Sequence, residues 1–185
     1  QASLSWTAPT NNGGANITDY SIQYSTDNTT WTSFSHTAST TTSATITGLT
    51  KNTLYYFRVA AINSQGTSAY TSSASTTVLG VPDAPTGLSA TAGNTQASLS
   101  WTAPSNNGGA AVSNYSIQYS TDNSSWTSFS HTASTSTSIT VTGLTKNTLY
   151  YFRVAAINSQ GTGAYTSSAS TTVLGVPDAP TAVSG

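Results

Sequence analysis

Residues 1–90 of this chain are written again, with few changes, at 96–185. Trp6 returns as Trp101, Tyr20 as Tyr115, Trp31 as Trp126 and Pro82 as Pro177, each at an offset of 95 with no insertion. Of the 90 aligned positions 14 differ, most of them slightly, as Ile17 differs from Val112 or Thr29 from Ser124. A unit of about 95 residues is long enough to bury a core by itself. The repeat therefore predicts two domains of one kind, and its fidelity points to a longer array of such units.

Within each copy the residues alternate as strands do. Ala97–Ser98–Leu99–Ser100–Trp101 places apolar and polar side chains on opposite faces, and Tyr115, Ile117 and Tyr119 alternate with Ser116 and Gln118. Tyr150, Phe152, Val154 and Ala156 share one face of a longer strand, with Tyr151, Arg153 and Ala155 on the other. Ile139, Val141 and Leu144 supply a shorter strand before it. Turn-forming clusters separate these runs: Pro104–Ser105–Asn106–Asn107–Gly108–Gly109, Asp122–Asn123, Thr142–Gly143 and Asn158–Ser159–Gln160–Gly161. Glu and Met are absent and Lys is rare, while Thr, Val, Tyr and Ile recur, so the composition also favours strands. Many short strands at this spacing predict a sandwich or barrel.

The frame in repeat 2 is specific. It runs Pro82–Asp83–Ala84–Pro85, Leu88–Ser89–Ala90, Leu99–Ser100–Trp101–Thr102–Ala103–Pro104, Gly108–Gly109, Tyr115–Ser116–Ile117–Gln118–Tyr119, Gly143–Leu144 and Tyr150–Tyr151–Phe152–Arg153–Val154. This pattern resembles fibronectin type III domains, with an Asn–Asn–Gly–Gly loop closer to bacterial and archaeal members than to animal ones. The resemblance implies an all-β chain of two tandem seven-stranded, immunoglobulin-like sandwiches. It implies that Trp6 and Trp101 of the second strand, and Tyr55 and Tyr150 opening the sixth, are the core anchors. The two tyrosines match the family's tyrosine corner, whose hydroxyl caps a turn while the ring enters the core. The family's integrin-binding tripeptide is missing: the corresponding loops read Ser64–Gln65–Gly66–Thr67–Ser68 and Ser159–Gln160–Gly161–Thr162–Gly163.

The phase of the repeat has a consequence for assembly. The family's first strand opens at the proline pair Pro82 and Pro85, whereas Gln1 aligns with Gln96, already in the second strand. Residues 1–80 therefore read as a repeat lacking its first strand, 81–175 as a whole repeat, and 176–185 as the first strand of a following repeat or a donor strand. Donation would use Val176, Pro177, Pro180 and Val183, with Val183 facing the core as Leu88 does. The five positions without a counterpart, Thr91–Ala92–Gly93–Asn94–Thr95, read as a turn that can be absent without loss of a strand. With no signal peptide and no initiator Met at Gln1, the chain reads as a processed product or as a window from something longer.

Charge and composition exclude several functions. Lys and Arg number 4 and Asp 5, giving a net charge of −1 and no electrostatic footprint for nucleic acid or an anionic membrane. Ser and Thr, 69 of 185 residues, carry the surface instead. A surface wetted by hydroxyls depends little on salt or pH, which suits the outside of a cell or its surface. No apolar run approaches a membrane span, and with no Cys there is no disulfide or thiolate metal site.

Candidate chemistry is sparse. His36 and His131 with Asp27 or Asp122 supply the residue types of a serine hydrolase, but no G-x-S-x-G elbow exists and solvated loop histidines are the simpler reading. The aspartates lie in turns and linkers and form no glycosidase pair. Asp83 and Asp178, in equivalent linkers, are single carboxylates without acidic neighbours, and Asp19 is Asn114 in repeat 2, so turn capping is favoured over calcium. Four N-x-[ST] sequons begin at Asn16, Asn28, Asn114 and Asn123; Asn28 and Asn123 fall at equivalent turn tips, the better candidates for glycosylation. Outward-facing Tyr56 and Tyr151 are candidates for stacking on sugars, against the plainer role of covering neighbouring side chains.

These readings converge on a non-catalytic extracellular rod, stalk, spacer or filament without cofactor or metal, its partners being neighbouring copies in a covalent array or a head-to-tail polymer. The two prolines of Leu79–Gly80–Val81–Pro82–Asp83–Ala84–Pro85 favour an extended link over a flexible tether. The alternative is a carbohydrate- or surface-binding accessory module of a secreted enzyme or adhesin.

Overall fold

The computed structural model describes residues 1–179 and 181, and the chain divides into Gln1–Gly80 and Val81–Gly185. Every element is a strand. In the first unit these are β1 (Ala2–Ser5), β2 (Asp19–Ser25), β3 (Thr32–Ser33), β4 (Ser43–Ile46), β5 (Thr53–Asn63), β6 (Gly66–Thr67) and β7 (Ala74–Val78). One sheet is the antiparallel pair β1–β4; the other has the order β3-β2-β5-β6, with β7 also pairing β5. Tyr20 and Ile22 from β2 and Tyr55, Phe57 and Val59 from β5 point inward to meet Ala2 and Ile46. Their alternate neighbours Ser21, Gln23 and Arg58 stay half-exposed, the period-two division that places one sheet face in a core.

The second unit contains β8 (Thr86–Gly93), β9 (Gln96–Thr102), β10 (Asn114–Ser120), β11 (Thr127–Phe129), β12 (Ser138–Thr142), β13 (Leu149–Asn158), β14 (Gly161–Tyr165) and β15 (Ala169–Thr172). Its smaller sheet is three-stranded, β12-β9-β8; the larger is β11-β10-β13-β14, with β15 also on β13. Because β14 and β15 are two halves of one final strand on β13, the unit is a seven-stranded sandwich. Its core contains Leu99, Trp101, Tyr115, Ile117, Val141, Leu144, Tyr150, Phe152 and Val154, with Leu88 and Ala90 of β8 packed against them.

One expectation needs correction. Residues 91–95 are more than a turn: Thr91, Ala92 and Gly93 belong to β8 and pair with Ser98, Ala97 and Gln96, leaving Asn94–Thr95 as the two-residue hairpin loop. The cause is hairpin geometry, since a strand closed by so short a loop runs to within one residue of the turn. At the other end, Lys146 Nζ donates to the Val176 carbonyl (3.1 Å) and to the Asp178 carboxylate. Val176 is well exposed and Pro177 lies in no strand, while Pro180 and Val183 fall outside the described residues.

Candidate functional site

The feature that separates the two repeats is the outer edge of β1. Its counterpart β9 is covered by β8, in the register Thr86–Thr102, Ser89–Ser100, Ala90–Leu99, Thr91–Ser98, Ala92–Ala97 and Gly93–Gln96. Within Gln1–Gly80, β1 pairs with β4 alone. The consequence appears in residues of identical type. Leu99, Trp101, Leu144, Ala156 and Asn158 are buried, whereas Leu4, Trp6, Leu49, Ala61 and Asn63 are only half-buried. Trp6, expected as a full core anchor, is thus a partial one: it packs on Tyr20 edge-on at 5.2 Å, but no strand covers its far side within this unit. Tyr55, Tyr150 and Trp101 are buried at 7–8% exposure. The indole Nε1 of Trp6 and of Trp101 alike is enclosed without a hydrogen-bond acceptor, so a strand in the position of β8 does not supply one.

From this edge a groove continues over the end of the first sandwich. One stretch is lined by Trp6, Pro9, Tyr20, Val59 and Tyr70; the next passes Asn12, Gly13, Ile17, Asn63 and Ser68. In the second unit the matching groove is filled by that unit's own lead-in. Asp83 N donates to the Asn106 carbonyl (2.9 Å), and Val81 Cγ1 lies 3.6 Å from where a Cβ on Gly161 would stand. Asn158, which donates to the Asn107 carbonyl at 2.8 Å, is buried there; Asn63 makes the same bond to Asn12 at 2.7 Å and is not.

Trp31, Tyr70, Trp126 and Tyr165 are engaged within the chain. Arg58 lies 4.1 Å from the ring centre of Trp31 and 4.4 Å from that of Tyr70, and donates through Nε and Nη2 to Gln23 Oε1 at 2.9 and 2.6 Å. Arg153 repeats this between Trp126 and Tyr165, on Gln118. Each distal tyrosine hydroxyl is bonded as well, Tyr70 to Ser21 and Tyr165 to Ser116, both at 2.8 Å. Sequence reasoning overlooked this stack, although a lone cation between Phe57 and Val59 in a chain with four basic residues was a usable signal. Tyr56 and Tyr151 are half-exposed on the same outward faces.

The polar candidates hold turns. The hydroxyls of Tyr55 and Tyr150 accept the N–H of Thr50 and Thr145 at 3.3 Å. His36 and His131 are more than solvated loop residues: each Nε2 lies 2.9 Å from a strand carbonyl, that of Tyr20 or Tyr115, and each ring stacks on a phenylalanine. Asp27 accepts from Thr30 N, Thr29 N and Ser25 Oγ, which hold its carboxyl far below the usual range; Ser125, Ser124 and Ser120 do the same for Asp122. Asp19 accepts from Ser39 N at 3.0 Å and Asn114 from Ser134 N at the same distance, so this exchange preserves one cap and uses the Asn114 side chain internally. Asn28 and Asn123 are exposed turn tips with positive φ. Among the described residues no three acidic, His or Cys side chains cluster as metal ligands, and no helix is long and apolar enough to cross a membrane.

Two stacked antiparallel sheets, a tryptophan on the second strand and a tyrosine corner define an immunoglobulin-like sandwich module. The chain belongs to the fibronectin type III domain family, whose model matches residues 1–78 and again 83–173. It is 37% identical over 120 residues to a Kelch domain-containing protein of Saccharolobus solfataricus, covering 65% of this chain and 16% of that protein. It is 35% identical over 167 residues to chitinase A1 of Niallia circulans, covering 85% and 21%. Among solved structures a titin fragment matches with a TM-score of 0.53 at 22% identity, covering 84% of this chain and 55% of that one, a likeness of fold alone. The chain spans about a fifth or less of the length of these two curated relatives.

Proposed function

We propose that this chain is a non-catalytic, extracellular structural element, a stalk, spacer or filament segment, and that a segment like residues 176–185, from a neighbouring copy in a covalent array or a head-to-tail polymer, completes its first repeat along β1. The observation that carries the reading is the difference between Leu4, Trp6 and Leu49, half-covered, and Leu99, Trp101 and Leu144, buried where β8 is present. Apolar side chains beside an unpaired strand edge favour recruitment of a strand. Residues 176–185 match 81–90, which perform this task in repeat 2, at seven of ten positions.

A non-catalytic role is supported by the engagement of both histidines with backbone carbonyls and of Asp27 and Asp122 with backbone N–H groups. The uncharged hydroxyl-rich surface supports an extracellular setting, in which Asn28 and Asn123 are the accessible glycosylation positions. A sugar-binding role has less support, because Arg58 and Arg153 occupy the faces of Trp31, Tyr70, Trp126 and Tyr165, leaving the half-exposed Tyr56 and Tyr151 as the rings on which a sugar would stack.

Sedimentation velocity and negative-stain microscopy test the reading with the full chain and a variant ending at Gly175. In the polymer, the full chain is expected to form concentration-dependent head-to-tail oligomers, and the shortened chain to be monomeric with a less stable first repeat. If the shortened chain forms the same filaments, strand donation is wrong. If residues joined ahead of Gln1 supply the strand, the full chain stays monomeric unless that segment is added, which decides for the covalent array over the polymer.

A further inference from the structure

Each repeat contains one Asn–Gly step, Asn12–Gly13 and Asn107–Gly108, at the centre of its Asn–Asn–Gly–Gly loop. Such a step is chemically labile. The glycine nitrogen, unhindered because its residue has no side chain, attacks the asparagine Cγ. Its proton is lost, ammonia leaves and a cyclic succinimide closes. Water then opens the ring at either carbonyl, giving aspartate or a β-linked isoaspartate whose main chain is longer by a methylene group. Asn12 and Asn107 are both exposed, so solvent reaches the two carboxamides.

The fold holds the attacking atom back. Gly108 N donates to Asn106 Oδ1 at 2.9 Å, and Gly109 N to Asn107 Oδ1 at 3.0 Å. The Asn107 carbonyl accepts from Asn158 Nδ2 at 2.8 Å, and Asn158 is itself buried and fixed by Gln160 N. The loop at 11–14 repeats the set: Gly13 N donates to Asn11 Oδ1 at 2.8 Å, Gly14 N to Asn12 Oδ1 at 3.0 Å, and Asn63 Nδ2 to the Asn12 carbonyl at 2.7 Å. For the ring to close, the Asn–Gly peptide must rotate toward its own carboxamide. That movement breaks the glycine's bond to the first asparagine and displaces the carbonyl held by Asn63 or Asn158.

We infer that Asn12 and Asn107 are latent deamidation sites, and that Asn11 and Asn106 are the residues that keep them shut. The carboxamide of the first asparagine occupies the glycine N–H whose nitrogen would attack the second. Failure of this guard has a specific consequence. Isoaspartate at position 107 moves the carbonyl away from Asn158 Nδ2 and leaves a buried donor without that acceptor, which destabilises the repeat. The same bonds stand in both loops, so the guard is a property of the loop and is independent of strand donation.

The test follows deamidation of the full chain in mildly alkaline buffer, by peptide mapping with mass spectrometry and isoaspartate detection. The chains are wild type, Asn11→Ala, Asn106→Ala and Asn106→Asp, with wild type in urea as the unfolded reference. Folded wild type is expected to convert at Asn12 and Asn107 about tenfold more slowly than in urea, equivalent to about 1.4 kcal/mol, the scale of a hydrogen bond. Asn11→Ala is expected to speed conversion at Asn12 alone, with Asn107 of the same chain as the unaltered reference, and Asn106→Ala to do the reverse. Asn106→Asp keeps an acceptor oxygen and is expected to keep the protection. Equal rates in the folded chain and in urea overturn the inference. So does an Asn11→Ala chain that converts at Asn12 no faster than wild type. Acceleration at both loops in either alanine variant reports general loosening of the fold and also overturns it.

Discussion

The Arg153 guanidinium carbon lies 4.2 Å from the centre of the Trp126 ring, with Tyr165 at 4.4 Å on its other flank and the Gln118 carbonyl receiving two of its N–H groups. This arrangement ties the loop before β11, the middle of β13 and the end of β14 onto one outward face. Trp126, Arg153 and Tyr165 are each half-buried, so the cation–π contacts are partly screened and contribute about 0.5–1 kcal/mol apiece. Replacement of Arg153 by Ala is expected to lower stability by about 1–2 kcal/mol. Lys is expected to rescue little, because it lacks the planar fork that serves Gln118 and both rings. Urea midpoints of the three chains check this; equal loss of stability in Ala and Lys variants is the expected pattern, and full rescue by Lys contradicts it.

Trp101 and Trp6 offer a paired comparison. Trp101→Ala empties a buried site and is expected to cost about 3–5 kcal/mol, a large share of the stability of an ordinary domain. Trp6→Ala, at a half-covered site, is expected to cost roughly half as much. Trp101→Phe should cost less than Trp101→Ala, since Nε1 makes no hydrogen bond whose loss would add to the cavity. Calorimetry of the three variants decides, and an unchanged melting profile for Trp101→Ala removes the assignment of this strand to the core.

The tyrosine corner is tested by removing one atom. Tyr150→Phe keeps the ring among Phe152 and Tyr119 and deletes the acceptor for Thr145 N. The expected loss is about 1 kcal/mol. Tyr55→Phe, whose hydroxyl makes the same bond to Thr50, should match it. A loss for one and none for the other is incompatible with equivalent corners.

Acid sensitivity follows from Asp27 and Asp122. Backbone N–H groups of Thr30 and Ser125 lead the interactions that depress these carboxyls below their unfolded value. A depressed carboxyl stabilises the fold fully above the unfolded pKa of about 3.9 and loses that contribution as pH falls toward the folded value. Stability is therefore expected to be level from neutrality to about pH 5 and to decline below about pH 4. In the Asp27→Asn, Asp122→Asn double variant the decline should be shallower, measured by urea midpoints from pH 2 to 7. An identical acid limb excludes these two groups as its source.

Salt should matter little. The ion pairs include Lys146 with Asp178, whose carboxylate is largely exposed, and a 3.9 Å approach of His36 to Asp19. Exposed pairs contribute about 0–1 kcal/mol and are screened readily. Solubility and melting temperature measured at low and high sodium chloride are expected to agree closely, and a steep loss of solubility with salt would count against a hydroxyl-wetted surface.

The sequence by itself determined the repeat, the strands and the side of each strand that enters the core. Alternation is a local property: Tyr115 and Ile117 must face opposite to Ser116 wherever the strand is placed, and Tyr150 carries its cap five residues from Thr145. Burial is not local. Leu4 and Leu99 have the same sequence neighbours on either side, yet one is half-covered and the other buried, because β8 lies beside only one of them. The stack of residues 126, 153 and 165 was equally out of reach, since it joins three segments whose proximity only the sheet order supplies. The requirement for glycine at 163 was the least legible of all. It is imposed by a carbonyl 81 positions earlier in the chain, and only the tertiary fold brings that oxygen to where a side chain would be.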